Sequence, residues 1–173
     1  YWLDYGQHPK ISRANLDGSS RKPLVTNGIS HPTGLTVDMQ THNVYWVDSE
    51  EDGIYSIGFN GTNRQVIREN LPSPRGLAIL RDDVYWVDRN LMGIFKATKN
   101  HYAGTAPEAV TLQSGLEKLR DVVIVDISNQ PQGSTGCSRN GNGGCQQLCF
   151  ADPDSETAFT CACATGVLDT DGR

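Results

Sequence analysis

With 173 residues the chain has room for one ordinary domain and a small appendage. Its net charge is −5 and its 15 Lys and Arg are scattered instead of forming a stripe, so it has no drive toward a phosphate backbone and nucleic acid is not an expected partner. No apolar run approaches the roughly 20 residues that span a bilayer, and no charged-then-apolar leader opens the chain, so this stretch is not expected to contact a membrane.

Eighteen Gly and eight Pro, with no helical periodicity, point to short strands joined by tight turns and hence to an all-β fold. In chain order, "YWLD" (Tyr1 to Asp4), "KISRANL" (Lys10 to Leu16) and "KPLVT" (Lys22 to Thr26) read as three strands with a turn at Asp17 and Gly18. Leu35 to Val37 then alternates as a half-buried strand, "MQTHN" turns, and Val44 to Val47 is a run of β-branched and aromatic residues. After "SEEDG", Ile54 to Phe59 reads as a third strand. Asn60-Gly61 is a two-residue hairpin signal of type I′, and Gln65 to Ile67 forms a fourth strand before Pro72 and Pro74. The next unit repeats the order with "SPRGLAIL" (Ser73 to Leu80), "YWVD" (Tyr85 to Asp88) and "GIFKAT" (Gly93 to Thr98), then a longer loop around Asn100 to Gly104. "LRDVVIVDI" (Leu119 to Ile127) reads as one more inner strand, with no "YW" strand after it.

All three tryptophans sit in one setting: Tyr1-Trp2-Leu3-Asp4, Tyr45-Trp46-Val47-Asp48 and Tyr85-Trp86-Val87-Asp88. "HPTGLTVD" and "SPRGLAIL" keep the same register, so two motifs share one period of about 40 residues. Four-stranded meanders at that period describe the blades of a β-propeller. A blade buries both faces against its neighbours, and one aromatic wedge per blade supplies the area. The recurring Asp4, Asp48 and Asp88 suit side chains bonded to turn backbone, not catalytic acids, which would have to converge on one point.

The five cysteines all follow residue 136, which marks a boundary near residue 130 and a small disulfide-stapled module of an oxidising compartment. Asn60-Gly61-Thr62 is a glycosylation sequon in agreement with secretion. About 130 residues precede the cysteine module, fewer than the roughly 160 of the smallest ring, so the chain is expected to hold only part of a ring.

These repeats, "SNQP", "GCSRNGNGGCQQLCF" and "FTCACATGVL" together resemble the YWTD propeller and EGF-like module of the low-density lipoprotein receptor family over nearly the whole chain. The resemblance implies part of a six-bladed propeller over residues 1–130: strands two to four of one blade at 1–28, full blades at 29–71 and 72–114, and a closing inner strand at 119–127. Residues 131–173 would be the EGF-like module. Leu3, Val47 and Val87 replace the family's usual Thr, and Asp121 stands where the earlier inner strands have Gly34 and Gly76. EGF-like pairing implies bridges Cys137 to Cys149 and Cys145 to Cys161, with Cys163 pairing beyond Arg173. Gly133 to Gly136 offer none of the acidic ligands that a calcium-binding module carries before its first cysteine, so no metal and no other cofactor are expected.

In a meander the turns after strands two and four emerge at one end, which collects Tyr5 to His8, Ile29 to Pro32, Ser49 to Asp52, Leu71 to Arg75 and Arg89 to Leu91. The resemblance implies that this end meets protein ligands, with His8, His31, Glu50, Glu51, Asp52, Arg75 and Arg89 as candidates. Glu50, Glu51 and Asp52 form an acidic cluster suited to a basic partner, and imidazoles, His42 and His101 included, titrate in the endosomal range. The expected function is ligand binding in the ectodomain of a cell-surface, type I endocytic or signalling receptor. The remaining blades and adjacent modules would be further partners. A nidogen-like matrix adhesion protein is the alternative. A calcium-dependent lactonase-like propeller is remote, because the inner strands supply only Asp38 and Asp121.

Overall fold

The computed structural model describes residues 1–99, 108–127, 133–152 and 154–163, and strands alone make up the regular secondary structure of the described residues before residue 115. Contacts divide the chain into two units, Tyr1–Ser12 with Pro23–Asn129, and Arg13–Lys22 with Gln130–Arg173. The connection between the second and third strands thus groups with the cysteine-rich segment, a membership that sequence patterning does not signal.

Three sheets build the first unit. Strands β1 (Trp2–Asp4), β2 (Lys10–Arg13) and β3 (Lys22–Val25) form a three-stranded sheet in that order. Strands β4 (Pro32–Asp38), β5 (Asn43–Asp48), β6 (Gly53–Gly58) and β7 (Gln65–Arg68) form a four-stranded antiparallel meander. Strands β8 (Pro74–Leu80), β9 (Asp83–Asp88), β10 (Gly93–Thr98) and β11 (Val110–Ser114) repeat it. These are propeller blades, and among the described residues they do not close into a ring.

The Tyr-Trp dipeptide works because neighbouring strand residues face opposite sides of a sheet. Trp46 lies in an apolar core with Ile11, Val25 and Leu3 of the first sheet, whereas adjacent Tyr45 lies in a second core with Trp86, Leu77 and Ile79 of the third. The second sheet therefore sends Trp46 toward the first sheet and Tyr45 toward the third, and Trp86 of the third likewise faces the second. Trp46 is directly opposite Tyr55 across the β5–β6 ladder with ring centroids 5.5 Å apart, and Trp86 stands likewise to Phe95 at 5.7 Å. Trp46 and Trp86 are buried, but Trp2 is 37% exposed, because no described sheet packs on its outer side.

Close approach of the inner strands explains their glycines. A Cβ on Gly34 would lie 3.0 Å from Gly76 Cα, and one on Gly76 would lie 2.3 Å from Asp121 Cα. Gly34, Gly76 and Asp121 thus occupy successive positions round the inner edge. Both glycines adjoin register shifts, between Pro32 and Gly34 and between Arg75 and Leu77.

Two expectations need correction. Residues 119–126 pass beside Gly76 but form no β-ladder, so the closing strand is unpaired here; Val123, Val125 and Ile127 are exposed. A strand is defined by its partner, and no described outer strand lies beside this segment to supply the bonds. Nor is Asn60-Gly61 a type I′ turn. Positive φ falls on Gly61 (85°) and Asn63 (58°) but not on Asn60, while Gly61 N–H donates to Gly58 O and Gly58 N–H to Thr62 O. This is a three-residue loop, Phe59 to Gly61, closed by a glycine bulge. Asn60 Oδ1 favours it by accepting the Thr62 N–H and Oγ1–H at 3.0 and 2.8 Å.

In the second unit, β12 (Leu148–Ala151) pairs antiparallel with β13 (Phe159–Ala162). Disulfides Cys137–Cys149 and Cys145–Cys161 anchor the two strands to single 3-10 turns at Gly136–Ser138 and Asn142–Gly144 or the residue just after them. Bridges of this kind contribute about 2 to 4 kcal/mol each where apolar burial is small. Cys163 is unbridged, and the expected partner beyond Arg173, like the loop at 100–104 and the "SNQP" segment, lies outside the described residues.

Candidate ligand face

Asp48 assembles one end of the second sheet. It is fully buried, and its Oδ1 accepts N–H groups of His31, Glu50 and Glu51 at 2.9, 3.0 and 3.1 Å while Oδ2 accepts that of Ser30 at 2.8 Å. A carboxylate at the end of strand two thereby ties its own turn to the loop entering strand one. Asp88 repeats the device in the third sheet, accepting from Ser73, Asn90 and Leu91 at 2.9 to 3.0 Å. Asp4 does not: it is half-exposed and forms a 3.4 Å ion pair with Lys10, since the first sheet has no preceding inner strand for it to hold.

Backbone bonds knit the same loops. Ser49 N–H donates to His31 O, Leu71 N–H to Asp52 O and Arg89 N–H to Ser73 O. The turns after second and fourth strands therefore do emerge together. The Tyr5 and His31 rings meet in a tilted contact with centroids 5.2 Å apart. In the acidic cluster, the Ser30 hydroxyl donates to Glu51 Oε1, Glu51 O accepts the Tyr55 hydroxyl at 3.0 Å, and Asp52 takes the left-handed conformation of the turn at φ 50°. Glu50 is exposed.

A cavity of about 360 Å³ opens at this end. His31, Arg75 and Arg89 are brought together in its wall, whereas His8 is exposed and stands outside it. Arg120 also lines it, although sequence reading passes it over as part of an inner strand. The signal was present: Thr33-Gly34, Arg75-Gly76 and Arg120-Asp121 are equivalent steps of the repeat, and Thr33, Arg75 and Arg120 all line the cavity.

The opposite end carries the turns after strands one and three, joined by a bond from Phe59 N–H to His42 O. Here Asp38 accepts Thr41 Oγ1–H, Gln40 N–H and, at 2.6 Å, the buried ammonium of Lys99. Burial raises the Asp38 pKa, but these donors outweigh it and hold the carboxyl below its ordinary value. Asp38 is thus committed to structure, Asp121 Oδ1 accepts its own neighbour Val122 N–H, and the two acids do not form a shared site. Among the described residues no group of His, Cys, Asp or Glu is arranged to hold a metal. Asn60, the sequon residue, lies at this opposite end and is exposed. His101 falls outside the described residues.

Residues 1–39 and 42–79 match the family model described as low-density lipoprotein receptor repeat class B, and residues 134–173 match an LRP2-like, EGF-like domain. The chain is 31% identical over 171 residues to the vitellogenin receptor Yl of Drosophila melanogaster, covering 96% of the chain and 8% of that receptor. It is 35% identical over 162 residues to the sortilin-related receptor of Oryctolagus cuniculus (94% and 7%). It is also 35% identical over 165 residues to low-density lipoprotein receptor-related protein 5 of Mus musculus (93% and 10%). The chain thus spans a tenth or less of the length of these relatives. Among solved structures, a nidogen/laminin complex contains a chain with the same fold, at a TM-score of 0.56 and 22% identity over 63% of this chain and 41% of that one.

Proposed function

Because the chain belongs to the low-density lipoprotein receptor family, with class B repeats and an EGF-like module, we propose that it is an ectodomain segment of an endocytic or signalling cell-surface receptor. Its role is to present the end organised by Asp48 and Asp88 to protein ligands. The observation that carries this reading is the twice-built carboxylate clamp: four loops are fixed by buried hydrogen bonds, leaving Glu50, His31, Arg75 and Arg89 on a rigid scaffold, where binding residues concentrate. No described helix is long and apolar enough to cross a membrane.

Glu50, Glu51 and Asp52 attract a basic segment of a ligand, and His8 and His31 on the same face are the candidates for pH-dependent release. His31 faces Tyr5 and shares the cavity wall with Arg75, Arg89 and Arg120.

Cells displaying the full-length protein test the reading. An antibody against the Ser49–Asp52 loop should label them at 4 °C without permeabilisation and move to acidic vesicles at 37 °C. Captured ligand should dissociate faster at pH 5.5 than at pH 7.4. Deposition in the matrix with no internalisation would favour the adhesion alternative, and identical dissociation at both pH values would remove the histidines.

A further inference from the structure

We propose that the cavity walled by Arg75, Arg89 and Arg120 receives a single carboxylate side chain, Asp or Glu, projecting from a protein ligand; this rests on the reading of that end as a ligand face. Three guanidinium groups repel one another, and a protein that gathers them without internal counter-charge leaves that role to a bound anion. Among the described residues no acid lines the cavity, and none of the three arginines forms an ion pair. Arg75 Nε is buried and has no hydrogen-bond partner among the described residues.

The arrangement is built. Arg75 is the second residue of β8, one residue before the close contact of Gly76 with Asp121, so its backbone is fixed. Arg89 follows β9, and its Nε donates to Leu119 O at 2.9 Å, which sets the position of the adjacent Arg120 and leaves the Arg89 Nη groups without an acceptor among the described residues. Leu3, Pro32 and the Tyr5–His31 ring pair complete the wall.

Shape and field select one carboxylate over a polyanion. A volume of about 360 Å³ lies at the small end of ligand cavities and suits one inserted side chain with its flanking backbone. A sulfated glycan needs an extended basic stripe, whereas here Glu50, Glu51 and Asp52 share the same end and the chain carries a net charge of −5. Planar guanidinium forks pair with carboxylate in a bidentate geometry, which makes the cavity selective for Asp and Glu over Asn and Gln.

The test uses full-length protein and a phage library of cyclic heptapeptides, selected on the wild type and depleted on an Arg75→Gln/Arg120→Glu variant. Peptides recovered should carry Asp or Glu at one fixed position, and changing that residue to its amide should weaken binding about tenfold. Arg120→Glu alone, at an exposed residue, should weaken the peptides about as much while leaving thermal unfolding unchanged. Recovery of peptides with no acidic preference, or equal binding to Arg120→Glu, would overturn the proposal. So would loss of heparin-column retention in the variants without any peptide preference, which assigns the arginines to a polyanion. Internalisation of the receptor is read separately and can succeed while this site fails.

Discussion

Lys99 Nζ lies 2.6 Å from Asp38 Oδ2 across 61 residues of sequence, and both side chains are at least 95% buried. The pair joins the turn after the first strand of one blade to the end of the third strand of the next, where Lys99 N–H also donates to Asp82 O. Breaking a buried pair from one side leaves an uncompensated charge, at about 3 to 5 kcal/mol. Lys99→Met and Asp38→Asn should each destabilise by that order in chemical denaturation, and the double substitution should cost less than the sum, because no orphan charge remains.

Acid acts on this pair late. The Asp38 carboxyl has its pKa lowered on folding from the ordinary value of 3.8 by its donors, so its contribution is complete above that value and is lost as pH falls through the lower folded value. The destabilisation caused by Asp38→Asn should therefore be the same at pH 7.4 and pH 5.5 and shrink only below about pH 4. A difference that shrinks already at pH 5.5 would mean that the carboxyl is not held low.

The repeated aspartates should not be equivalent. Asp48→Ala removes acceptors for four backbone N–H groups and Asp88→Ala for three, so losses of about 2 to 4 kcal/mol are expected at each. Asp4→Ala deletes only an exposed ion pair and should change stability by less than about 1 kcal/mol. Equal costs at all three would show that the motif acts through local sequence and not through the loops it holds.

At the inner edge, Gly76→Ala places a methyl 2.3 Å from Asp121 Cα, a contact with backbone that cannot relax by rotating a side chain. A loss of about 3 kcal/mol or more, seen as reduced secretion of the full-length protein, is expected. Gly115→Ala, whose methyl meets nothing within 4 Å, controls for backbone conformation, since its φ is likewise positive at 74°.

Arg64 lies over Trp46 and Tyr55 at 5.1 and 5.2 Å from their centroids and donates to Asn27 O and Gly28 O at 2.6 Å. Arg64→Met keeps the apolar stem but loses the cation and both donors. It should cost about 1 to 2 kcal/mol and shift Trp46 emission.

Sequence made the blades legible because short β-branched and aromatic runs are separated by turn residues and because Tyr-Trp repeats in step with Gly34 and Gly76. The role of Asp48 and Asp88 was readable for the same reason, three recurrences in one setting. Contacts that join residues far apart gave no local sign. Nothing in the composition near Lys99 indicates that its partner is Asp38, and Arg64 reads as an ordinary loop cation until its aromatic platform is seen. Asn60-Gly61 misled because the side chain of Asn60 caps Thr62 and favours a wider loop over the tight turn that the dipeptide alone suggests. Arg120 was hidden by being grouped with a strand; aligned to the repeat, it stands level with Arg75.

Under the proposed function, ligands meet the end held by Asp48 and Asp88 and not the other. A photo-cross-linking amino acid can be placed at Leu91 on that end and at Met39 on the opposite one, both exposed, in full-length protein on living cells. Covalent adducts with captured proteins from Leu91 and none above background from Met39 are the expected result. Adducts from Met39 alone, or equally from both, would contradict the account.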